Sequence, residues 1–227
     1  GEPEIDIDKI REFKESVINK LTGGLTGLAK ARKVEVITGY GRFTTPHTVA
    51  VESDDGSVTT VAFQSAIIAA GSRVVQLPFV PNDDSRVMDS TGALALEDLP
   101  GRLLVIGGGI IGLEMAQVYD SFGSKMTVVE LGDTIIPGAD KEIVRPLLKK
   151  IKQRYENVFL KSKVTNVEST PEGLVVQFEG KGCPETDTFD RVLVAVGRSP
   201  NGGLIDADKA GVLVGEQGFI DVDERQR

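Results

Sequence analysis

The sequence predicts a three-layer α/β fold with a central parallel sheet, and three observations predict it. Residues 103–106, Leu-Leu-Val-Ile, are a continuous apolar run of the kind that forms a strand buried on both faces. Gly107, Gly109 and Gly112 follow directly and open a helical stretch. Residues 126–129, Met-Thr-Val-Val, then read as the next parallel strand, closed by Glu130 18 residues after Gly112. Strand, glycine turn, helix and strand in this register make a Rossmann-like βαβ unit.

In that G-x-G-x-x-G spacing each glycine has its own task. Gly107 permits the tight turn out of the strand, Gly109 lets the backbone approach a pyrophosphate, and Gly112 lets the helix pack closely on the sheet. The first turn of a helix has N–H groups without internal acceptors and carries the positive end of the helix dipole, so phosphates bind there without a basic side chain. Glu130 stands where a ribose-binding acid belongs. Its charge repels a 2′-phosphate, and Leu131, Gly132 and Asp133 bring no arginine to reverse this, which favours NAD over NADP. A G-x-G-x-x-G alone also occurs in flexible loops, and the turn by itself would equally suit the adenosine half of FAD.

Composition narrows the class. The chain has 227 residues, 40% of them hydrophobic, and a formal charge of −8. That length holds one large domain or two smaller ones. An acidic chain without a basic patch is a poor partner for nucleic acid or anionic membranes. No apolar run approaches the roughly 20 residues that span a bilayer, and the acidic start is unlike a signal peptide, so a cytoplasmic protein is expected. Cys183 is the single cysteine and His47 the single histidine. An internal disulfide, a CxxC pair and a cysteine-rich metal site are therefore excluded, Cys183 reads as a bystander thiol, and no metal is expected.

Along the chain, Ile10, Phe13, Val17 and Leu21 recur at helical spacing, with Asp8 as N-cap and Gly23-Gly24 as a weak point that should bend the helix. Strands are expected at residues 34–37, 48–52 and 58–63 as a β-meander, with 53–56 as a turn. Residues 66–72 read as an apolar strand, and Pro78, Pro81 and residues 82–84 as a crossover loop. Asp140 caps a helix carrying Ile143, Val144, Leu147, Leu148 and Ile151. Further strands are expected at 158–160, 164–168, 174–178 and 192–196.

Taken in order, the segments KLTGGLTGLAK, GYGRF, AIIAAGS, QLPF, LLVIGGGIIGLEMAQVY, KVTNVE, LVAVGRSPN and GFIDVD resemble the two-dinucleotide-binding flavoprotein disulfide oxidoreductases over the whole chain. LTGGL, AIIAAGS and GGGIIGLEMA resemble the branch that oxidises dihydrolipoamide. The resemblance implies an enzyme in which dihydrolipoamide, carried on lipoyl domains of 2-oxo acid dehydrogenase complexes, reduces a disulfide. Electrons then pass to FAD, and the flavin delivers hydride to NAD, in an assembly with a second subunit. It implies NAD contacts at Gly107, Gly108, Gly109, Ile110, Ile111, Gly112 and Glu114, at Glu130, at Val164 and at Gly197. It implies vestigial FAD contacts at Gly41, Ala70, Gly71 and Ser72, although Gly41 and Gly71 read equally well as turn glycines.

The family's first FAD motif, its disulfide and its catalytic His-Glu pair have no counterpart in these residues. The expectation is therefore a central portion of such an enzyme, with residues 1–74 as a partial FAD-domain segment, 75–197 as the NAD-binding domain and 198–227 returning toward the FAD domain. No catalytic residue is expected in the chain, which should be catalytically silent and without retained FAD. Glu114 resembles an acid that pairs with a lysine beside the flavin, and should here be unpaired. Arg198 is expected to form an inter-domain ion pair rather than to bind a cofactor. Two other readings stay open: a free-standing NAD-binding module without catalytic function, and a disulfide-free FAD enzyme.

Overall fold

A computed structural model describes residues 5–227. In chain order the elements are α1 (Ile7–Ala31), β1 (Tyr40–Thr45), β2 (Thr48–Glu52), β3 (Val58–Ala62), β4 (Ser72–Val74), β5 (Val87–Met88), α2 (Ser90–Ala95), β6 (Arg102–Ile106), α3 (Ile110–Ser121) and β7 (Lys125–Glu130). They continue with α4 (Lys141–Arg154), β8 (Asn157–Leu160), β9 (Ser162–Thr170), β10 (Gly173–Gly180), β11 (Thr186–Phe189), β12 (Arg191–Val194) and β13 (Arg198–Pro200), then two 3-10 turns at Gly202–Leu204 and Ala207–Ala210. The chain divides into two compact units. The first comprises Val74–Gly197 with the residues up to Glu12, and the second Phe13–Arg73 with Arg198–Arg227.

The first unit has the expected three layers. Five parallel strands run in the order β5-β12-β6-β7-β8, so the chain starts at one edge with β5, crosses to the central β6, moves out through β7 to β8 at the other edge and returns with β12 between β5 and β6. Successive side chains of a strand point to opposite faces, and here both faces are covered. Leu103, Val105, Met126, Val128 and Leu193 face a layer that includes Leu113, Ala116 and Tyr119 of α3 and Val144 and Ile151 of α4. Leu104, Ile106, Val129, Val192 and Val194 face the antiparallel β9-β10-β11 meander through Val164, Val167, Leu174, Val176, Phe178 and Phe189. The apolar runs in the sequence are continuous because both faces of each strand are in a core.

Two short elements escaped the periodicity. β5 has two residues and α2 six. Asp89 caps α2 by accepting from the N–H groups of Thr91 and Gly92 at 2.8 and 2.9 Å. The buried Tyr119 hydroxyl donates to the Ala93 carbonyl at 2.9 Å and so ties α3 to α2. Asp140 does precede α4, but its side chain makes no capping bond.

Other expectations are corrected. Residues 34–37 and 66–71 are not strands, and the first strand of the meander in the second unit is β1 instead. β1, β2 and β3 form the antiparallel sheet, with Gly56 (φ +80°) in the turn before β3. An apolar run without a neighbour that completes its hydrogen bonds does not become a strand, whatever its composition. Asp8 lies inside α1, and Asp6 does the capping, its Oδ1 accepting from the Lys9 N–H at 3.1 Å. The helix runs unbroken past Gly23 and Gly24 to Ala31. Ile7 and Ile10 pack on the helix-side core of the first unit, whereas Phe13, Leu21 and Leu25 are exposed.

Arg102, at the start of β6, joins three layers of chain. Its guanidinium donates to both carboxylate oxygens of Asp187 at 2.8 Å, to Glu156 Oε2 at 2.8 and 3.0 Å and to the Thr188 carbonyl at 2.7 Å. It also stacks 4.8 Å above the Phe189 ring. These hydrogen bonds hold the Asp187 carboxyl below its ordinary range despite partial burial. A lowered native value means that the stabilisation is complete above the unfolded value of about 4 and is lost as the pH falls through the native one. We expect Arg102→Ala to lower unfolding free energy by about 1–3 kcal/mol at neutral pH. Urea unfolding of parent and variant should show that difference narrowing in acid, as Asp187 becomes protonated in both states.

Candidate functional site

The candidate site is at the carboxyl end of β6, where the glycine turn leads into α3. The parallel sheet places this end between β7 and β12, as the Gly107 N–H donates to the Val129 carbonyl (2.8 Å) and the Ala195 N–H to the Ile106 carbonyl (2.8 Å). Gly107 has φ +107°, and a Cβ there would come within 2.4 Å of the Ala195 carbonyl oxygen. Gly112 is tighter still, since a Cβ would meet the Gly107 carbonyl oxygen at 2.3 Å. Gly109, the N-cap of α3, has open space where its Cβ would be and offers no side chain to cap the helix. The three glycines thus separate as the spacing implied: a turn, an open approach and a close packing contact.

Gly108, between them, is buried and gripped from the other side by the chain after β7. Its N–H donates to Glu130 Oε2 at 2.7 Å, and its carbonyl accepts from the Ile136 N–H at 2.9 Å. The other oxygen of Glu130 accepts from the Gly132 N–H at 2.7 Å. The fully buried Ile135 anchors the loop, and Ile136 takes φ +48°, an unfavourable conformation for a β-branched residue. Sequence reasoning placed Glu130 beside the turn but missed Ile135 and Ile136. Their only signal was two adjacent isoleucines before Pro137-Gly138.

Ile110 and Ile111 begin α3 and are exposed, while Glu114 lies one turn further on, also exposed, with no ion pair among the described residues. Gly197 is exposed with φ +126°. Val164 is on β9, where its side chain is buried against the meander-side core with Ile106 and Val129. Only its main chain is left to meet a ligand.

The other singled-out residues belong to the second unit, apart from Cys183. Gly41 is exposed in β1 opposite Val51. Asn201 donates its N–H to the Gly71 carbonyl (3.0 Å) and its side-chain amide to the Ala70 carbonyl (2.9 Å). Arg198 donates to the Ser72 hydroxyl at 2.7 Å and to the Ser72 carbonyl, so the ion pair expected for it is replaced by hydrogen bonds within the second unit. His47 is exposed and packs edge-on to Phe63. The Cys183 thiol rests on the Gly180 carbonyl at 3.3 Å. Among the described residues no group of three or more His, Cys, Asp and Glu side chains is placed to hold a metal ion, and no helix is long and apolar enough to cross a membrane.

Comparison with known proteins gives consistent matches. A family model described as pyridine nucleotide-disulphide oxidoreductase matches residues 3–227. The dihydrolipoyl dehydrogenase of Vibrio cholerae is 55% identical over all of this chain and 48% of its own length. Those of Haemophilus influenzae and Bacillus subtilis are 53% and 39% identical, over 100% and 98% of this chain and 47% of their own lengths. The chain thus spans about half the length of the curated relatives it matches. Among solved structures, the HOCl-induced flavoprotein disulfide reductase RclA of Escherichia coli superimposes with a TM-score of 0.84 at 27% identity, covering 97% of this chain and 49% of that one. LpdA of Mycobacterium tuberculosis gives 0.86 at 24% identity over 98% and 49%, a likeness of fold alone.

Two substitutions separate the roles of the glycines. Gly112→Ala should lower stability by about 1–3 kcal/mol through overpacking against the Gly107 carbonyl. Gly109→Ala, in open space with φ −76°, should cost no more than about 1 kcal/mol. Thermal unfolding of the two variants side by side checks this order.

Proposed function

Because the chain belongs to the pyridine nucleotide-disulphide oxidoreductase family, we propose that its first unit, Val74–Gly197 with the residues up to Glu12, is an NAD-binding domain. The supporting observation is the 2.7 Å hydrogen bond from the Gly108 N–H to Glu130, which sets a ribose-binding carboxylate against a glycine turn suited to a pyrophosphate. The uncapped N-terminus of α3 and the open space at Gly109 fit the phosphates, received by main-chain N–H groups. Glu130 takes the ribose hydroxyls and disfavours a 2′-phosphate. Gly107, Gly108, Ile110, Ile111 and Gly112 shape the turn, the Val164 main chain and exposed Gly197 border the ligand, and Glu114 lies toward the nicotinamide.

In the whole protein the proposed activity is that of a dihydrolipoyl dehydrogenase, with lipoyl domains of 2-oxo acid dehydrogenase complexes as electron donors and a second subunit as partner. FAD, when bound, would supply the two-electron relay to NAD from the dithiol formed when dihydrolipoamide reduces the disulfide. The contribution of this chain is to hold the nicotinamide in line for hydride transfer, which is positioning rather than bond making. Gly41, Ala70, Gly71 and Ser72 are assigned to the flavin side, in the second unit. The Ala70 and Gly71 carbonyls are already bonded to Asn201, which leaves few free polar groups for a flavin. On this reading the chain by itself is catalytically silent and holds NAD but not FAD. The exposed Phe13, Leu21 and Leu25 of α1 favour such a portion over a free-standing module, because a finished surface would cover them. A cytoplasmic location suits this chemistry.

Calorimetric titration provides the test. NAD should bind, NADP should bind at least about tenfold more weakly, and Glu130→Ala should weaken NAD about tenfold or more. The purified chain should show no flavin absorption band. NAD binding that is absent, or indifferent to Glu130→Ala, would sink the assignment.

A further inference from the structure

The strongest feature outside the nucleotide site is the margin of the first unit along α4 and β8. The chain carries a net charge of −8, yet residues 141–163 hold eight lysines and arginines against two carboxylates. Lys141, Arg145, Lys149 and Lys152 recur at i, i+4, i+8 and i+11 of α4, so they form one exposed stripe. None of the four has an ion-pair partner among the described residues; the pair on this helix is Arg154 with Asp120. Like charges at helical spacing repel each other, and Lys141 also opposes the helix dipole. The helix carries this repulsion with Glu142 as its one carboxylate.

Beside this stripe is a cavity of about 450 Å³ between Lys152 on one wall and Lys181 on the other. Its floor is β8, with Tyr155, Phe159 and Leu160 contributing apolar surface. The one carboxylate in the lining, Glu156, is neutralised by Arg102 at 2.8 Å. β8 is the edge of the parallel sheet, pairing with β7 alone among the described residues, so its outer main-chain N–H and C=O groups are open. An open strand edge with an apolar floor and cationic walls has the features that recognise an extended peptide by strand addition.

We propose that this margin is a docking site for an acidic polypeptide segment, bound extended along β8. Its carboxylates, present on both faces of the added strand, would meet Lys149 and Lys152 on the helix side and Lys181 on the meander side, and its apolar side chains would lie beside Leu160 on the helix side and Phe159 on the meander side. A long polyanion such as nucleic acid is disfavoured, because beyond the patch it would meet the net-negative remainder of the chain. A short segment would be confined to the cationic margin.

The test is fluorescence anisotropy with a labelled peptide of repeated Glu-Glu-Val-Val units, which places glutamates on both faces of an extended strand, added to the 227-residue chain at low salt. Binding should weaken steadily as salt rises, since screening acts on an exposed patch. Lys149→Glu, Lys152→Glu and Lys181→Glu combined should weaken it by about tenfold or more. The matching glutamine triple variant should fall between the two, and serves if charge reversal impairs folding. Both should unfold at or above the parent temperature, since they relieve like-charge repulsion along α4, which separates a lost contact from a damaged fold. Absence of binding at low salt, equal binding by the variants, equal binding of a lysine-valine peptide, or tighter binding of a single-stranded oligonucleotide of equal charge would each overturn the proposal.

Discussion

The approach of α3 to the end of β6 governs the first unit. A helix whose third residue lacks a side chain can descend until its main chain touches the turn that precedes it, and at Gly112 no Cβ could be accommodated. That depth brings Leu113, Ala116 and Tyr119 into the core, directs the first N–H groups of the helix at the strand end, and brings the β7 terminus close enough for Glu130 to reach Gly108. Moving the helix outward by even one methyl group would disturb the packing and the polar contacts together, because protein interiors are close-packed.

The meander on the other face has a complementary role. Without it, Leu104, Ile106, Val129, Val192 and Val194 would face water, and burial of side chains of this kind is worth roughly 1.5–3 kcal/mol each. Arg102 fixes the meander at one end of the sheet through Asp187 and Thr188, while Arg86 bonds Asp84 and the Thr170 carbonyl and fixes it at another. The Arg86 guanidinium beside Asp84, aided by the Ser169 hydroxyl, holds the Asp84 carboxyl well below the usual range. Polar clasps at the margins and apolar contacts between them give the layer one orientation.

How much could be read in advance depended on whether a signal was local. The βαβ unit was legible because its determinants occupy adjacent positions: an apolar run, spaced glycines, a terminal acid. Strands β8, β9 and β10 were legible as short stretches rich in apolar and β-branched residues. The failures came where distant chain decides. Residues 66–71 have strand composition but no ladder to join, whereas Tyr40–Thr45 carries no strand signal of its own and gains its place from pairing with β2. Nothing beside Arg102 in the sequence marks its role, since its partners lie 54 and 85 residues away. Around the site, Glu130 could be found by counting, but the Ile136 N–H to the Gly108 carbonyl could not, since main-chain bonds leave no trace in residue type.

The second unit is discontinuous, built from Phe13–Arg73 and Arg198–Arg227, and its clasps join partners far apart in sequence: Arg198 to Ser72 across 126 residues, and Asn201 to Ala70 across 131. During synthesis at roughly 5–20 residues per second, its first half waits on the order of ten seconds for its second. The parallel sheet, encoded by the intervening chain, is complete before then. The order of appearance on the ribosome therefore lets the parallel sheet set first, while the strands of the second unit stay exposed to proteases and chaperones until Arg198–Arg227 emerge.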